Sequence, residues 1–247
     1  AVTEYKPGDR VFIAPKVPCM VCDICKKGNY TLCSNVKERL PGGFADFILV
    51  PEILILNGTY RLTDSISYDQ STFIEPLGCV VKAQNSADIQ AGQTVLIFGC
   101  GMSGLLHIKL AKSKNCRVIG VDISEKKLEL AKAVGADVTI RADQNVPEVL
   151  LSENGGKADV VILCTSALPA VKQAWPSVAD AGAVIFFAVP DPGKKVEIPI
   201  NDFWQKEIRV LTTYYCGPPD LKEALDLIET GAVQTNDLIS QKLPLDQ

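Results

Sequence analysis

Several things are scarce or missing in this sequence, and each absence narrows the reading. Among 247 residues there is one histidine, His107, so at most one imidazole can join any metal site. There is no basic block, and the net charge of -4 is spread along the chain, which argues against a nucleic acid or an anionic membrane surface as partner. No apolar run approaches the length that spans a bilayer, so no membrane partner is expected. Residues 1–10 are polar and lack a signal-peptide pattern. Internal repeats and low-complexity linkers are also missing.

What is there suits a folded enzyme-sized chain. Apolar residues make up 47 %, which excludes disorder and gives enough material for one large or two ordinary domains with a real core. Nine cysteines is an odd number, and four of them fall within residues 19–33. The others (Cys79, Cys100, Cys116, Cys164 and Cys216) are scattered, several inside apolar strands. That pattern reads as buried thiols plus a metal cluster rather than a secreted disulfide framework, and it implies a reducing, cytoplasmic setting.

The chain is organised around residues 94–122. Thr94-Val95-Leu96-Ile97-Phe98 is an apolar, β-rich run of the kind buried in parallel sheets. Gly99, Gly101 and Gly104 follow at G-x-G-x-x-G spacing. Leu105, Leu106, Ile108 and Leu110 then form the apolar side of a helix. A second apolar strand, 117–121, ends in Asp122, eighteen positions after the last glycine. Gly99 permits the tight turn, Gly101 lets a pyrophosphate approach the backbone, and Gly104 lets helix and strand pack closely. The helix N-terminus offers free N–H groups to the phosphates, and Asp122 is placed to accept the adenosine ribose hydroxyls.

Along the rest of the chain, short strands are expected at 10–14, 44–50 and 53–56, with a cysteine- and lysine-rich lobe between the first two. A helix starts near Ser65 to Gln70 and continues through 73–83. Past the glycine turn, helices are expected at 125–134, 168–179 and 220–229, with Pro176 shortening or kinking the second. Strands are expected at 138–140, 159–164, 183–189 and 208–212, with a looser stretch at 196–204. Six strands alternating with helices from 94 to 212 match the count of a full doubly wound dinucleotide fold. The flanking pieces form a second, strand-rich domain that this fold interrupts.

Cys19, Cys22, Cys25 and Cys33 have the spacing C-x2-C-x2-C-x7-C. Four thiolates from one short loop surround a tetrahedral ion and leave no position for substrate, which defines a structural zinc site. Lys26, Lys27 and Lys37 offer partial charge balance. An iron–sulfur cluster is the sharpest rival, because the first three spacings match a bacterial ferredoxin run. That run needs its fourth cysteine sooner and a proline after it, whereas Ser34 follows Cys33. Unliganded thiols are the third possibility.

Taken together, these residues resemble the zinc-containing medium-chain alcohol and polyol dehydrogenases, the superfamily of sorbitol and threonine dehydrogenases. The likeness covers essentially the whole chain. It runs through Pro18-Cys19 to Gly28 and Cys33, with Met20 where a glycine is usual. It continues through Gly42-Gly43-Phe44-Ala45-Asp46-Phe47, Glu75-Pro76-Leu77, the glycine turn and Asp122.

The resemblance implies an α/β fold: a Rossmann doubly wound parallel sheet inserted in an incomplete, strand-rich GroES-like catalytic domain. The expected division is 1–78 for the partial GroES-like domain (zinc lobe 17–41), 79–218 for the Rossmann domain and 219–247 for the return. It further implies reversible hydride transfer between a secondary alcohol or polyol and NAD. The expected metals are one structural zinc on the four cysteines and one catalytic zinc acting as Lewis acid. Coenzyme contacts are expected from Gly99, Gly101, Met102, Ser103, Gly104, Asp122, Lys127, Thr165, Ala188 and Val189. Glu75 is implied to be a catalytic-zinc ligand or a partner of zinc-bound water; without the resemblance it is a glutamate stabilised at a helix N-terminus.

In this superfamily the other catalytic-zinc ligands, a cysteine and a G-H-E histidine, come from a section preceding anything present here. His107 lies in the helix after Gly104 and reads as an ordinary helix residue. The chain is therefore expected to be a fragment that binds coenzyme without turning over alcohol, and a homo-oligomer when intact. Two other readings stay open: a zinc-free quinone reductase-like oxidoreductase, and a non-catalytic dinucleotide-binding protein.

Overall fold

The computed structural model describes residues 3–36 and 38–245. In chain order the first elements are β1 (Val11–Ile13), α1 (Asp23–Lys26), α2 (Glu52–Gly58), β2 (Thr59–Arg61), α3 (Tyr68–Ser71) and α4 (Ile74–Ser86). The alternating series follows: β3 (Thr94–Phe98), α5 (Met102–Ser113), β4 (Arg117–Asp122), α6 (Glu125–Ala133), β5 (Val138–Arg141), α7 (Val146–Asn154), β6 (Ala158–Leu163), α8 (Leu168–Ser177) and β7 (Val178–Phe186). Last come α9 (Ile200–Gln205), β8 (Arg209–Thr212) and α10 (Pro218–Glu229). The chain forms two compact units. One is Ala1–Cys79 with Tyr215–Gln247; the other is Val80–Tyr214.

The second unit is built on one six-stranded sheet in the order β5-β4-β3-β6-β7-β8, every neighbouring pair parallel. The order reverses between β3 and β6, the switch point where open α/β sheets bind ligands beyond the strand C-termini. The strands hold because their side chains are apolar on both faces: Leu96, Ile97, Val118, Ile119, Val161 and Ile162 are fully buried. Leu96, Phe98, Ile119, Val121, Ile140, Val161 and Val184 join Val171 and Ala174 of α8 in one core cluster.

In the first unit, β1 and β2 pair antiparallel, with Phe12 opposite Tyr60. Ser67 caps α3 in a reciprocal capping box: its hydroxyl accepts from the Gln70 N–H at 3.1 Å, and Gln70 Oε1 accepts from the Ser67 N–H at 2.9 Å.

Several expected elements differ in the structure. The strand at 44–50 is absent; that stretch is irregular, and Phe44, Phe47 and Leu49 are almost fully exposed. A strand needs a neighbour to satisfy its backbone, and among the described residues none pairs with it. Residues 53–56 are helical rather than extended. Pro51 sits at the N-cap of α2, Glu52 in its first turn faces the positive dipole end, and Leu54 is fully buried. Gly58 closes that helix against Val17, whose Cγ1 lies 2.3 Å from where a Cβ would stand.

Helix α8 ends at Ser177, short of 179, one residue past Pro176, whose missing N–H ends the ladder. Strand β7 begins earlier than expected and ends at Phe186. Helices α7 and α9 were not foreseen. The Pro147 that obscures α7 sits in its first turn, where proline is tolerated, and Gly155 ends it in the left-handed conformation.

Candidate active-site elements

The glycine turn connects β3 to α5 at the C-terminal end of the central strand, and its three glycines have different structural grounds. Gly99 has φ +94°, and a Cβ there would stand 3.0 Å from the Cys164 carbonyl oxygen. Gly104 is more constrained: its Cβ would fall 1.9 Å from the Gly99 oxygen. A Cβ on Gly101 would meet nothing within 4 Å, at an ordinary φ of −75°. The protein itself gives no reason for glycine there, and the open space beside that backbone is what an approaching pyrophosphate requires. The residues present therefore fit a dinucleotide.

Asp122 ends β4 and is only 7 % exposed. One carboxylate oxygen accepts from the Cys100 N–H at 2.8 Å and the other from the Ser124 N–H at 2.9 Å. Lys127 Nζ lies 4.0 Å from Asp122 Oδ2. Cys100 is buried within the turn; burial first, then the Asp122 charge, pushes its thiol up to about 12, so it stays neutral.

Met102 and Ser103 open α5. Thr165 follows β6, and Ala188 and Val189 follow β7. The Ala188 N–H donates to the Leu163 oxygen at 2.8 Å, which holds that segment beside the end of β6. These coenzyme candidates thus gather at the C-terminal ends of β3, β4, β6 and β7, all within the second unit.

His107 is fully buried in α5. Its Nδ1 lies 3.3 Å from Gln84 Nε2, and its ring meets Phe187 edge-on at 4.7 Å. Burial lowers its pKa to about 3, so the ring is neutral.

In the first unit, Cys19, Cys22, Cys25 and Cys33 bring their four sulfurs within 4.8 Å of one another. The Cys22–Cys25, Cys19–Cys25 and Cys22–Cys33 sulfurs are 3.4, 3.9 and 4.0 Å apart. A zinc–sulfur bond of about 2.3 Å sets a tetrahedron edge of about 3.8 Å, so the set fits one ion. Backbone N–H groups of Val21 and Cys22 pull the Cys19 thiol down to about 6, while burial and the neighbouring thiols hold Cys25 high. Of the expected balancing lysines, Lys26 faces Asp23 at 4.0 Å, and Lys37 lies outside the described residues.

Glu75 stands in the first turn of α4, half-buried. It is joined by two thiols that sequence reasoning set aside as scattered, Cys79 and Cys216. The available signal was the i,i+4 spacing of Glu75 and Cys79 on one helix face; Cys216 is too distant in sequence to give one.

A doubly wound sheet with a glycine turn and an acid-ended second strand, in a chain that also carries a four-cysteine lobe, defines a dinucleotide-binding class of protein with a candidate metal lobe. The family model for the alcohol dehydrogenase GroES-like domain matches residues 1–59, and that for zinc-binding dehydrogenase matches 104–230. The chain belongs to the zinc-binding alcohol dehydrogenase family and is an oxidoreductase of the zinc-dependent medium-chain alcohol and polyol dehydrogenase type.

It is 32 % identical to Probable D-xylulose reductase A of Neosartorya fischeri over 251 residues, covering 97 % of this chain and 68 % of that one. It is 33 % identical to erythritol/L-threitol dehydrogenase of Mycolicibacterium smegmatis, covering 97 % and 67 %. A Sinorhizobium meliloti 1021 protein solved bound to NADP superposes with TM-score 0.90 at 32 % identity, covering 100 % of this chain and 73 % of that one. The 2R,3R-butanediol dehydrogenase of Bacillus subtilis gives 0.86 at 28 % identity, covering 100 % and 70 %.

Proposed function

We propose that this protein oxidises a polyol or secondary alcohol by reversible hydride transfer to NAD, with a structural zinc on Cys19, Cys22, Cys25 and Cys33. The observation that carries the coenzyme half is the open space at Gly101 together with the carboxylate of Asp122 at the end of β4. The N-terminus of α5, with Met102 and Ser103, binds the pyrophosphate through backbone N–H groups. Asp122 accepts the ribose hydroxyls. Thr165, Ala188 and Val189 line the path to the nicotinamide, and Lys127 flanks Asp122. Glu75 holds a catalytic zinc or orients water on it; when bound, that ion supplies Lewis-acid stabilisation of an alkoxide. The names of the similar proteins, D-xylulose reductase and erythritol/L-threitol dehydrogenase, support a polyhydroxylated substrate. Nine free cysteines suit a reducing, cytoplasmic setting. No helix among the described residues is long and apolar enough to cross a membrane. A homo-oligomer is the assembly we expect.

The decisive experiment titrates the protein with NADH and NADPH, then assays NAD reduction by a panel of polyols and secondary alcohols in the zinc-loaded protein as its gene encodes it. A 2′-phosphate beside Asp122 meets like charge and forfeits the hydroxyl bonds. NADH is therefore expected to bind at least about tenfold more tightly, about 1.4 kcal/mol. Asp122→Ala is expected to narrow that gap. Equal affinities in the unmodified protein overturn the role of Asp122. Failure of every polyol and secondary alcohol, with NADH bound and zinc present, overturns the substrate class.

A further inference from the structure

Outside the cysteine lobe, one more group of metal-type donors converges among the described residues of the first unit. Glu75 and Cys79 stand one helical turn apart on α4, and Cys216 comes from the segment just before α10. The carboxylate oxygen and both sulfurs lie within 4.8 Å of one another. Cys79 Sγ is 3.5 Å from Glu75 Oε1, and a zinc held by one thiolate and one carboxylate sets their separation at about 3.6 Å. Cys216 is 4 % exposed, and its sulfur also lies 3.8 Å from the Glu75 backbone oxygen. The close approach of α4 to this segment runs through Gly78, where a Cβ would stand 3.1 Å from Leu221 Cδ2 and 3.4 Å from Cys216 Sγ. A further group points the same way. The Tyr215 hydroxyl is buried without a hydrogen-bond partner among the described residues, and its phenol is pushed up, first by burial and then by the proximity of Glu75, Cys216 and Cys79.

We propose that Glu75, Cys79 and Cys216 form a second cation site, specific for zinc and similar thiophilic divalent ions. This rests on and deepens the reading of Glu75 as a metal-holding residue by naming two thiol partners that the family resemblance does not supply. Two sulfurs and one carboxylate select against magnesium and calcium, which take all-oxygen shells. Three protein donors leave the fourth tetrahedral position open for a water. Binding displaces the thiol protons to solvent, so occupancy falls in acid.

The test is zinc stoichiometry with X-ray absorption on the zinc-saturated protein. Two zincs per chain are expected, one with four sulfurs and one with two, so the mean is about three sulfurs per zinc. A single zinc with a four-sulfur shell overturns the site. So does a second zinc without sulfur neighbours, which brings the mean to about two. Cys79→Ser and Cys216→Ser are each expected to lose one zinc while the four-sulfur zinc stays. In the cobalt-loaded protein, Cys79→Ala/Cys216→Ala should remove about a third of the thiolate-to-cobalt absorption, two of six bonds. Unchanged stoichiometry and spectra in these variants overturn the proposal. NADH affinity, read in parallel, separates the two readings: the cation site failing while NADH still binds leaves the dehydrogenase assignment standing.

Discussion

Stripping the metal from the four-cysteine lobe is expected to unfold residues 17–41 while leaving the coenzyme unit intact. The lobe has almost nothing else to hold it. Its regular pieces are the four-residue α1 and a single 3-10 turn at Tyr30–Leu32, both far below the length at which a helix is stable alone. Its apolar side chains point outward: Val21 is 70 % and Leu32 64 % exposed. Among its described residues, only Val17, Pro18, Cys25 and Cys33 are buried. Zinc binding by such sites is worth about 10–16 kcal/mol, as much as the whole stability of an ordinary domain. Cys22→Ser, or a strong chelator, should therefore expose 17–41 to proteases and lower the melting temperature of the first unit. NADH affinity should change by less than about twofold, because the coenzyme candidates all sit on the separate parallel sheet. A lobe that resists proteolysis equally with and without metal would show that the cysteines are ordinary packing residues.

The second large effect is expected at the glycine turn, where two substitutions of one methyl group should behave oppositely. Gly104→Ala forces a carbon to within 1.9 Å of the Gly99 oxygen, a backbone atom with nowhere to retreat. The first turn of α5 must shift off β3, at a cost of about 3 kcal/mol or more, and NADH binding is lost with it. Gly101→Ala adds its methyl group to open space at a φ that alanine adopts freely. Its melting temperature should match the wild type, and its NADH affinity should fall at least about tenfold, or about 1.4 kcal/mol. Thermal melts and NADH titrations of the two variants decide this. An unaffected NADH affinity in Gly101→Ala would mean that the open space is not the pyrophosphate path.

The second unit was legible in the sequence because two signals coincided there. The central strands carry apolar runs, Val95 to Phe98 in β3 and Val160 to Leu163 in β6, and the glycine turn closes β3 at Gly99. Residues 94–122 accordingly fold as read, down to the acid that closes β4. The first unit was harder. Residues 44–50 end in the apolar run Phe47-Ile48-Leu49-Val50, which suits a strand, but pairing depends on a partner that local sequence cannot specify. At 53–56, β-branched residues suggested extension, while Pro51 and the buried Leu54 decided for helix. The metal donors split in the same way. Four cysteines within one loop announce themselves through spacing, whereas Cys79 and Cys216 meet only once α4 and the segment before α10 have packed.

The hydrogen bonds of Asp122 carry a consequence for altering coenzyme choice. An ionised carboxylate has about four acceptor sites, and the backbone of Cys100 and Ser124 takes two of them. The two that remain match a pair of ribose hydroxyls. The same side chain is thus a strut: it ties the phosphate turn to the end of β4 before any nucleotide arrives, and so lowers the ordering cost of binding. Replacing it to admit a 2′-phosphate also releases the Cys100 N–H and is expected to loosen the turn proposed to hold the pyrophosphate. On the proposed role of Asp122, selectivity gained by removing it is expected to come largely from weaker NAD binding. A true switch to NADP has to restore an acceptor for Cys100 as well as supply a cation for the phosphate.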